Sequence, residues 1–181
     1  MDVNEIAKQY ISIAEEQFGS MCSDWNYKGV EFNDQGPHIR YYPDEKNLTI
    51  SLNENVRGNE VGLHFQLAHE VCHLLYPTRC AVTSGFEKTT VLNEGISTYF
   101  SIYAVQQFGQ EADVIQNLKE HNSNYYNALA QTCELLQKDD KAIIKLRSIQ
   151  PMLNKITVSD FELAGIDIPE PLKLSLLDTF S

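Results

Sequence analysis

Two histidines lie four residues apart at His69 and His73, and Glu70 directly follows the first, giving the pattern H-E-x-x-H. On a helix, residues four apart leave the same face, so both imidazoles can bind one metal ion. Glu70 lies to one side of that face, near enough to act on a water molecule held by the metal. The pattern therefore predicts a metal site with an acid–base group beside it.

A catalytic zinc ion usually has three protein ligands plus a water molecule, so two histidines are too few. The natural third ligand is Glu94, which lies downstream in the run Asn93-Glu94-Gly95. With His69, His73 and Glu94 binding Zn²⁺ and Glu70 acting as the base, the set predicts a zinc hydrolase. A metallopeptidase that acts on a peptide or protein substrate is the function it most favours.

Two helices must position these four residues. Apolar residues with helical periodicity predict a first helix from about Asn59 to Tyr76, which carries H-E-x-x-H and ends before Pro77. A second helix, from about Val91 to Phe108, carries Glu94 in its first turns, so the carboxylate can project towards the histidines. Residues 78–90 connect the two helices, with Gly85 at the centre.

The remaining elements place strands before these helices and further helices after them. An amphipathic first helix ends at Gly19 in a left-handed cap, and residues 25–32 alternate as a short strand does. Residues 38–42 and 47–53 flank Pro43-Asp44-Glu45-Lys46 and predict a hairpin.

Beyond the second core helix, the sequence predicts helices at about 111–137 and 140–149. An irregular tail follows, in which Pro169 and Pro171 break any helix. These elements predict an α+β fold in which residues 1–181 form a single domain.

Composition excludes several classes of protein. The net charge of −11, with no basic run, argues against nucleic-acid binding. No stretch approaches the roughly 20 apolar residues that a membrane-spanning helix needs, and acidic residues interrupt the first twenty positions, so no signal peptide is predicted. We expect a cytoplasmic protein without membrane partners. Its four cysteines are expected to be reduced thiols because they form no CxxC pair: Cys22, Cys72, Cys80 and Cys133.

Other candidate residues have simpler interpretations. His64 lies five positions before His69, which turns it to the far side of the helix, and His38 and His121 stand alone in the sequence. We predict that none of the three binds the metal. Cys72 lies inside the motif but off its metal-facing direction, and it is interpreted as a packing thiol.

Residues 47–53 bear on substrate binding, and two interpretations are equally favoured. As an edge strand, this segment would bind an extended peptide through main-chain hydrogen bonds, with Asn53 and Asn55 near the rim of the cleft. As an ordinary buried strand, it would only support the core.

The motif His69-Glu70-x-x-His73 together with Asn93-Glu94-Gly95 resembles the gluzincin group of zinc metallopeptidases. The run Leu92–Phe100 is similar to the aminopeptidase branch of that group, and the likeness covers about residues 60–105. The resemblance implies a zincin-like fold, in which a small mixed sheet lies above an active-site helix and the C-terminal half is helical. It also implies that Glu70 takes a proton from the metal-activated water and passes it to the leaving amine.

The sequence departs from the gluzincin pattern at two points. Thermolysin-like members have an aspartate four residues after the ligand glutamate, where it hydrogen-bonds a ligand histidine, whereas this chain has Thr98. No residue is singled out to stabilise the oxyanion, for which the sequence offers five candidates: Tyr99, Tyr103, His121, Tyr125 and Tyr126.

These departures leave an alternative function open. The chain would then be a catalytically inactive binding or regulatory protein on a zincin scaffold, in which the metal only stabilises the fold. Its oligomeric state is not determined by the sequence.

Overall fold

A computed structural model of the chain describes residues 2–79 and 85–181. Its strands and helices give an α+β fold, as predicted from the sequence. In chain order they are α1 (Val3–Phe18), β1 (Asn26–Asn33), β2 (His38–Tyr42), β3 (Asn47–Asn53), α2 (Glu60–Leu75), α3 (Val91–Val105), α4 (Glu111–His121), α5 (Ser123–Lys138), α6 (Ala142–Ile149), α7 (Val158–Leu163) and α8 (Glu170–Leu177). Within the described ranges, no helix has both the length and the apolar character needed to cross a lipid bilayer.

The strands form a mixed sheet in the order β1-β3-β2, with β3 parallel to β1 and antiparallel to β2. The predicted hairpin is confirmed: a 3₁₀ turn at Pro43–Glu45 joins β2 to β3, and Lys46 adopts the left-handed conformation with φ of 52°. Leu48, Ile50 and Leu52 are buried, so one face of β3 packs on the core.

Helices α2 and α3 pack against each other at the centre of the molecule, and their bounds agree with the sequence prediction. Asn59 caps α2 by accepting a hydrogen bond from the Gly62 amide, and Thr90 caps α3 in the same way through the Asn93 amide. The main buried cluster reaches along the chain from Ile6 to Leu176. Each fully buried leucine or valine in it contributes roughly 1.5–3 kcal/mol.

The predicted helix over residues 111–137 is wrong, because the chain forms two helices there. Asn122 has φ of −140° and ψ of 57°, which ends α4 and starts α5 in a new direction. The polar run His121-Asn122-Ser123-Asn124 carries no apolar side chain that would hold a continuous helix on the core.

The tail is more regular than predicted, since it contains α7 and α8. Pro171 does not break α8, because it lies in the first turn of that helix, where a missing N–H costs no hydrogen bond.

Gly19 follows α1, but it does not adopt the predicted left-handed cap. Its φ of 92° is positive, but its ψ of 162° lies outside the left-handed helical region.

Cys22, Cys72 and Cys133 are free thiols, as expected. Cys80 and the middle of the connection over residues 78–90 lie outside the described residues.

Candidate metal centre

Three predicted ligands meet where α2 packs on α3. One ligating atom from each of His69, His73 and Glu94 lies within 4.8 Å of the others. Glu94 Oε2 is 3.1 Å from His69 Nε2 and 3.6 Å from His73 Nε2. The helical spacing of the histidines and the position of Glu94 early in α3 account for this convergence.

Neighbouring elements hold Glu94 in place. Its second carboxylate oxygen, Oε1, accepts a hydrogen bond of 2.9 Å from the Thr89 hydroxyl. Gly95, the next residue, faces α5 so closely that an added Cβ would lie 2.6 Å from the Ala128 carbonyl oxygen. Glycine at position 95 therefore lets α3 pack close to α5, and this packing sets the position of Glu94 in the site.

The Glu94 carboxylate is buried, the two imidazoles are partly buried, and the charges of the three side chains influence one another. Burial by itself raises the pKa of Glu94, but the His73 charge and hydrogen bonds from His69 and His73 outweigh it and hold that pKa well below its usual range. Burial likewise opposes protonation of His73, whereas the Glu94 carboxylate raises the pKa of His73 to about 9. The Glu94 carboxylate thus lies beside both imidazoles, and its negative charge favours a protonated, positively charged imidazole.

Glu70 lies beside this cluster and is only 4% exposed. Burial raises the pKa of its carboxyl group, and the nearby His73 and His69 oppose that rise. Glu70 lines the same cleft as His69, His73 and Glu94, so all four predicted site residues face one space.

The cleft has two connected chambers. The first, of about 260 Å³, contains the His/His/Glu cluster and is bounded by β2 residues. The second, of about 250 Å³, has a more apolar wall that includes Phe65 and Leu118. Pro37, His69, Glu70 and Tyr125 line both chambers, so the site lies where the two meet.

Tyr125 is the one of the five oxyanion candidates that lines the cleft. Its ring packs edge-on against His69, with centroids 5.8 Å apart, and burial raises the pKa of its hydroxyl to about 12. The break at Asn122 brings it there, since Tyr125 lies in the first turn of α5. The polar run before α5 is the sequence signal that would have suggested this break.

The other four candidates lie elsewhere. Tyr99 and Tyr126 pack in a small cluster around Ile102, Leu118 and Leu129. Tyr103 lines a separate cavity, and His121 is exposed beside Glu120.

His38, which was predicted not to bind the metal, is not among the three converging side chains, but it lines the first chamber together with Glu70. Only the pairing of β2 with β3 brings it there, because His38 and Glu70 are distant in sequence.

His64 faces α1, where its Nδ1 lies 2.5 Å from the Tyr10 hydroxyl. Cys72 is fully buried and burial raises the pKa of its thiol, as a packing residue requires.

Thr98 does not support a ligand histidine. Its hydroxyl oxygen is buried without a hydrogen-bond partner among the described residues. Thr98 therefore does not make the hydrogen bond that the aspartate of thermolysin-like members makes to a ligand histidine, and the Thr89 hydroxyl supports a different residue of the site, Glu94.

The edge-strand interpretation of residues 47–53 is wrong. β3 is the middle strand, paired on both sides, and neither Asn53 nor Asn55 lines the two chambers. The outer strand beside the cleft is β2, whose residues His38, Ile39 and Tyr41 line the chamber that contains the His/His/Glu cluster.

A His/His/carboxylate donor set of this kind is one that zinc accepts. Comparison with models of protein families, with curated proteins and with solved structures finds no match to this chain.

Proposed function

We propose that this protein is a zinc-dependent metallopeptidase of gluzincin type with a zincin-like fold. The observation that carries the proposal is the convergence of His69, His73 and Glu94 in a cleft, with Glu70 beside them. The resemblance of the two sequence motifs to the gluzincins supports it. So does the order of the fold, with a mixed sheet before the α2 helix and helices after it.

The spacing of the donor atoms suits zinc. Bonds of roughly 2.0–2.2 Å place neighbouring ligands of a tetrahedral ion about 3.3–3.6 Å apart. Glu94 Oε2 lies 3.1 Å and 3.6 Å from the two imidazole nitrogens. These two distances are close to that range, and the three donor atoms all lie within 4.8 Å of one another.

When bound, zinc would lower the pKa of a water molecule and polarise the substrate carbonyl. Glu70 would take the proton from the attacking water and deliver it to the nitrogen of the leaving amine. Among the described residues that line the two chambers, the basic side chains near its buried carboxylate are His38, His69 and His73. General acid–base catalysis of this type contributes typically about 10²–10⁴-fold in rate.

Tyr125 would donate a hydrogen bond to the carbonyl oxygen as negative charge develops on it. Its position at the junction of the two chambers, against His69, supports this role. A neutral phenol is a suitable donor, because it adds no charge to the ground state.

The substrate would be an extended peptide lying along β2. Among the described residues that strand pairs with β3 alone, so its other edge would offer main-chain groups to a peptide. The two chambers give room for substrate residues on both sides of the scissile bond.

Glu70→Gln tests the proposal, with the exposed Glu16→Gln as a matched control and His73→Ala as a ligand variant. Zinc is measured by mass spectrometry after loading and dialysis, and hydrolysis is measured on a peptide library. We expect one equivalent of zinc in the wild type and in both glutamine variants, less in His73→Ala, and loss of hydrolysis in Glu70→Gln.

Full turnover by Glu70→Gln would exclude its role as base. A wild-type protein that binds zinc but cleaves no peptide would favour the alternative, a metal-stabilised binding protein. In that case Glu94→Ala should lower the melting temperature of the zinc-loaded protein. A wild type that takes up no zinc would contradict both functions.

A further inference from the structure

A second cavity lies on the other side of α2 from the metal centre. It has a volume of about 550 Å³ and is formed by α1, the start of α2 and the end of α3. It shares no lining residue with the two chambers of the cleft. The proposed peptidase chemistry makes no use of it.

A hydrogen-bonded group fixes the floor of this cavity. The Gln107 amide nitrogen donates to the Tyr10 hydroxyl at 3.1 Å and to the Ala104 carbonyl at 2.8 Å. The Tyr10 hydroxyl and His64 Nδ1 are 2.5 Å apart. With the phenol as donor, His64 accepts at Nδ1 and is an uncharged imidazole, and burial lowers the pKa of that histidine. The floor therefore carries no positive charge.

The wall is complementary to a cation. Among the described residues that line the cavity, Glu60 is the one acid and no lysine or arginine is present. Gln9, Gln106 and Gln107 add amide groups whose oxygens accept hydrogen bonds. An anion would meet the Glu60 carboxylate here with no basic side chain to offset it.

Aromatic rings supply the remaining part of the wall. Tyr103 is 40% exposed, and one face of its ring stacks on Phe100 with centroids 5.6 Å apart and planes 9° from parallel. Tyr103 also lines the cavity. Phe108 and Tyr10 pack edge-on against the His64 ring, with centroids 5.0 Å and 5.7 Å away. Aromatic rings beside a carboxylate are the means by which proteins bind organic cations.

We propose that this cavity binds a small organic ammonium ion. Its charged head would lie between the Tyr103 ring and the Glu60 carboxylate, and its apolar body against Ile6 and Ile13.

Choline and its uncharged isostere 3,3-dimethyl-1-butanol are the probes, titrated into the full chain and followed by ¹H–¹⁵N NMR. The two molecules have the same shape, so a preference for choline isolates the charge. We expect saturable shift changes at His64, Tyr103 and Phe108 with choline, and at least roughly five-fold weaker binding of the isostere.

Two variants localise the site. Glu60→Gln and Tyr103→Leu should each weaken choline binding roughly five-fold, whereas the exposed Glu162→Gln should leave it unchanged. Both positions are near the surface, and the spectra of the variants report directly whether the fold is kept. Equal binding of choline and the isostere, shift changes at other residues, or no saturable change would overturn the proposal.

Discussion

The two carboxylate oxygens of Glu94 have different partners. One carboxylate oxygen faces both histidines, and the other accepts the hydrogen bond from Thr89. Thr89, which directly precedes the N-cap residue of α3, thereby orients the Glu94 carboxylate. The Thr98 hydroxyl is buried and makes no hydrogen bond to the described residues, so it orients neither histidine.

At the same scale, Tyr125→Phe should lower kcat by about 10²-fold or more, because it removes the hydrogen bond to the developing oxyanion. Zinc content and KM should change little, since the phenyl ring keeps its contacts with His69 and Phe180. Steady-state kinetics on a peptide substrate measure the effect. Tyr126→Phe is the matched control, because Tyr126 is not among the residues that line the two chambers. Equal kcat values for the two variants would remove Tyr125 from the mechanism.

At the scale of elements, the approach of α3 to α5 depends on Gly95. An added methyl group would overlap the Thr132 hydroxyl and the Ala128 carbonyl. Gly95→Ala should therefore lower the free energy of unfolding by about 1–3 kcal/mol, although alanine favours helix more than glycine does.

Urea unfolding measures this change, with Ser12→Ala as the control, because Ser12 lies on the exposed face of α1. A Gly95→Ala protein as stable as the wild type would show that α3 and α5 separate without cost.

The segment Asp178–Ser181 packs beside the candidate metal centre. Its backbone pairs with Thr89 and Val91, with N–O distances of 3.0 Å on both sides. The Phe180 ring packs on Tyr125 with centroids 4.8 Å apart. The same short segment thus contacts the residue that orients Glu94 and the tyrosine that packs on His69.

Phe180→Ala should weaken zinc binding roughly ten-fold, as loss of support behind metal ligands does elsewhere. Competition with a chelator measures the zinc affinity of the folded protein. Leu163→Ala serves as the control, because Leu163 is 73% exposed and remote from the cluster. Unchanged affinity in Phe180→Ala would mean that backbone pairing alone positions Thr89.

At the scale of the whole molecule, Arg147 connects segments that are distant in the sequence by hydrogen bonds. Its guanidinium is buried and donates hydrogen bonds of 2.7–3.0 Å to five carbonyls: Phe18, Gly19, Ser20, Leu75 and Pro151. These carbonyls belong to the ends of α1 and α2 and to the turn after α6. The charge is thus neutralised by peptide dipoles, without a carboxylate among those partners.

Arg147→Met should lower the free energy of unfolding by about 3 kcal/mol or more, because it leaves several buried carbonyls without donors. Arg147→Lys should recover only part of this loss, since an ammonium group has fewer donors and no planar fork. Thermal and urea unfolding measure both variants. Arg40→Met, at an exposed ion pair with Glu31, should change stability by less than about 1 kcal/mol. Equal effects at positions 147 and 40 would contradict this role.

The sequence by itself determined the features that depend on local spacing. Histidines four apart on a helix share a face, so His69 and His73 were predictable, and so were the bounds of α2 and α3 that caps and Pro77 define. Alternation along residues 47–53 predicted a strand with one buried face. The position of Glu94 early in the second helix was enough to suggest its approach to the histidines.

Tertiary structure decided what depends on contacts between distant segments. Strand order placed β3 inside the sheet and β2 beside the cleft, because hydrogen bonding to β1 occupies the other edge of β3. The break at Asn122 selected Tyr125 from five candidates, and the pairing of β2 with β3 brought His38 to Glu70. Periodicity within one segment carries no information on which other segment will pack against it, and for that reason these features could not be predicted from the sequence.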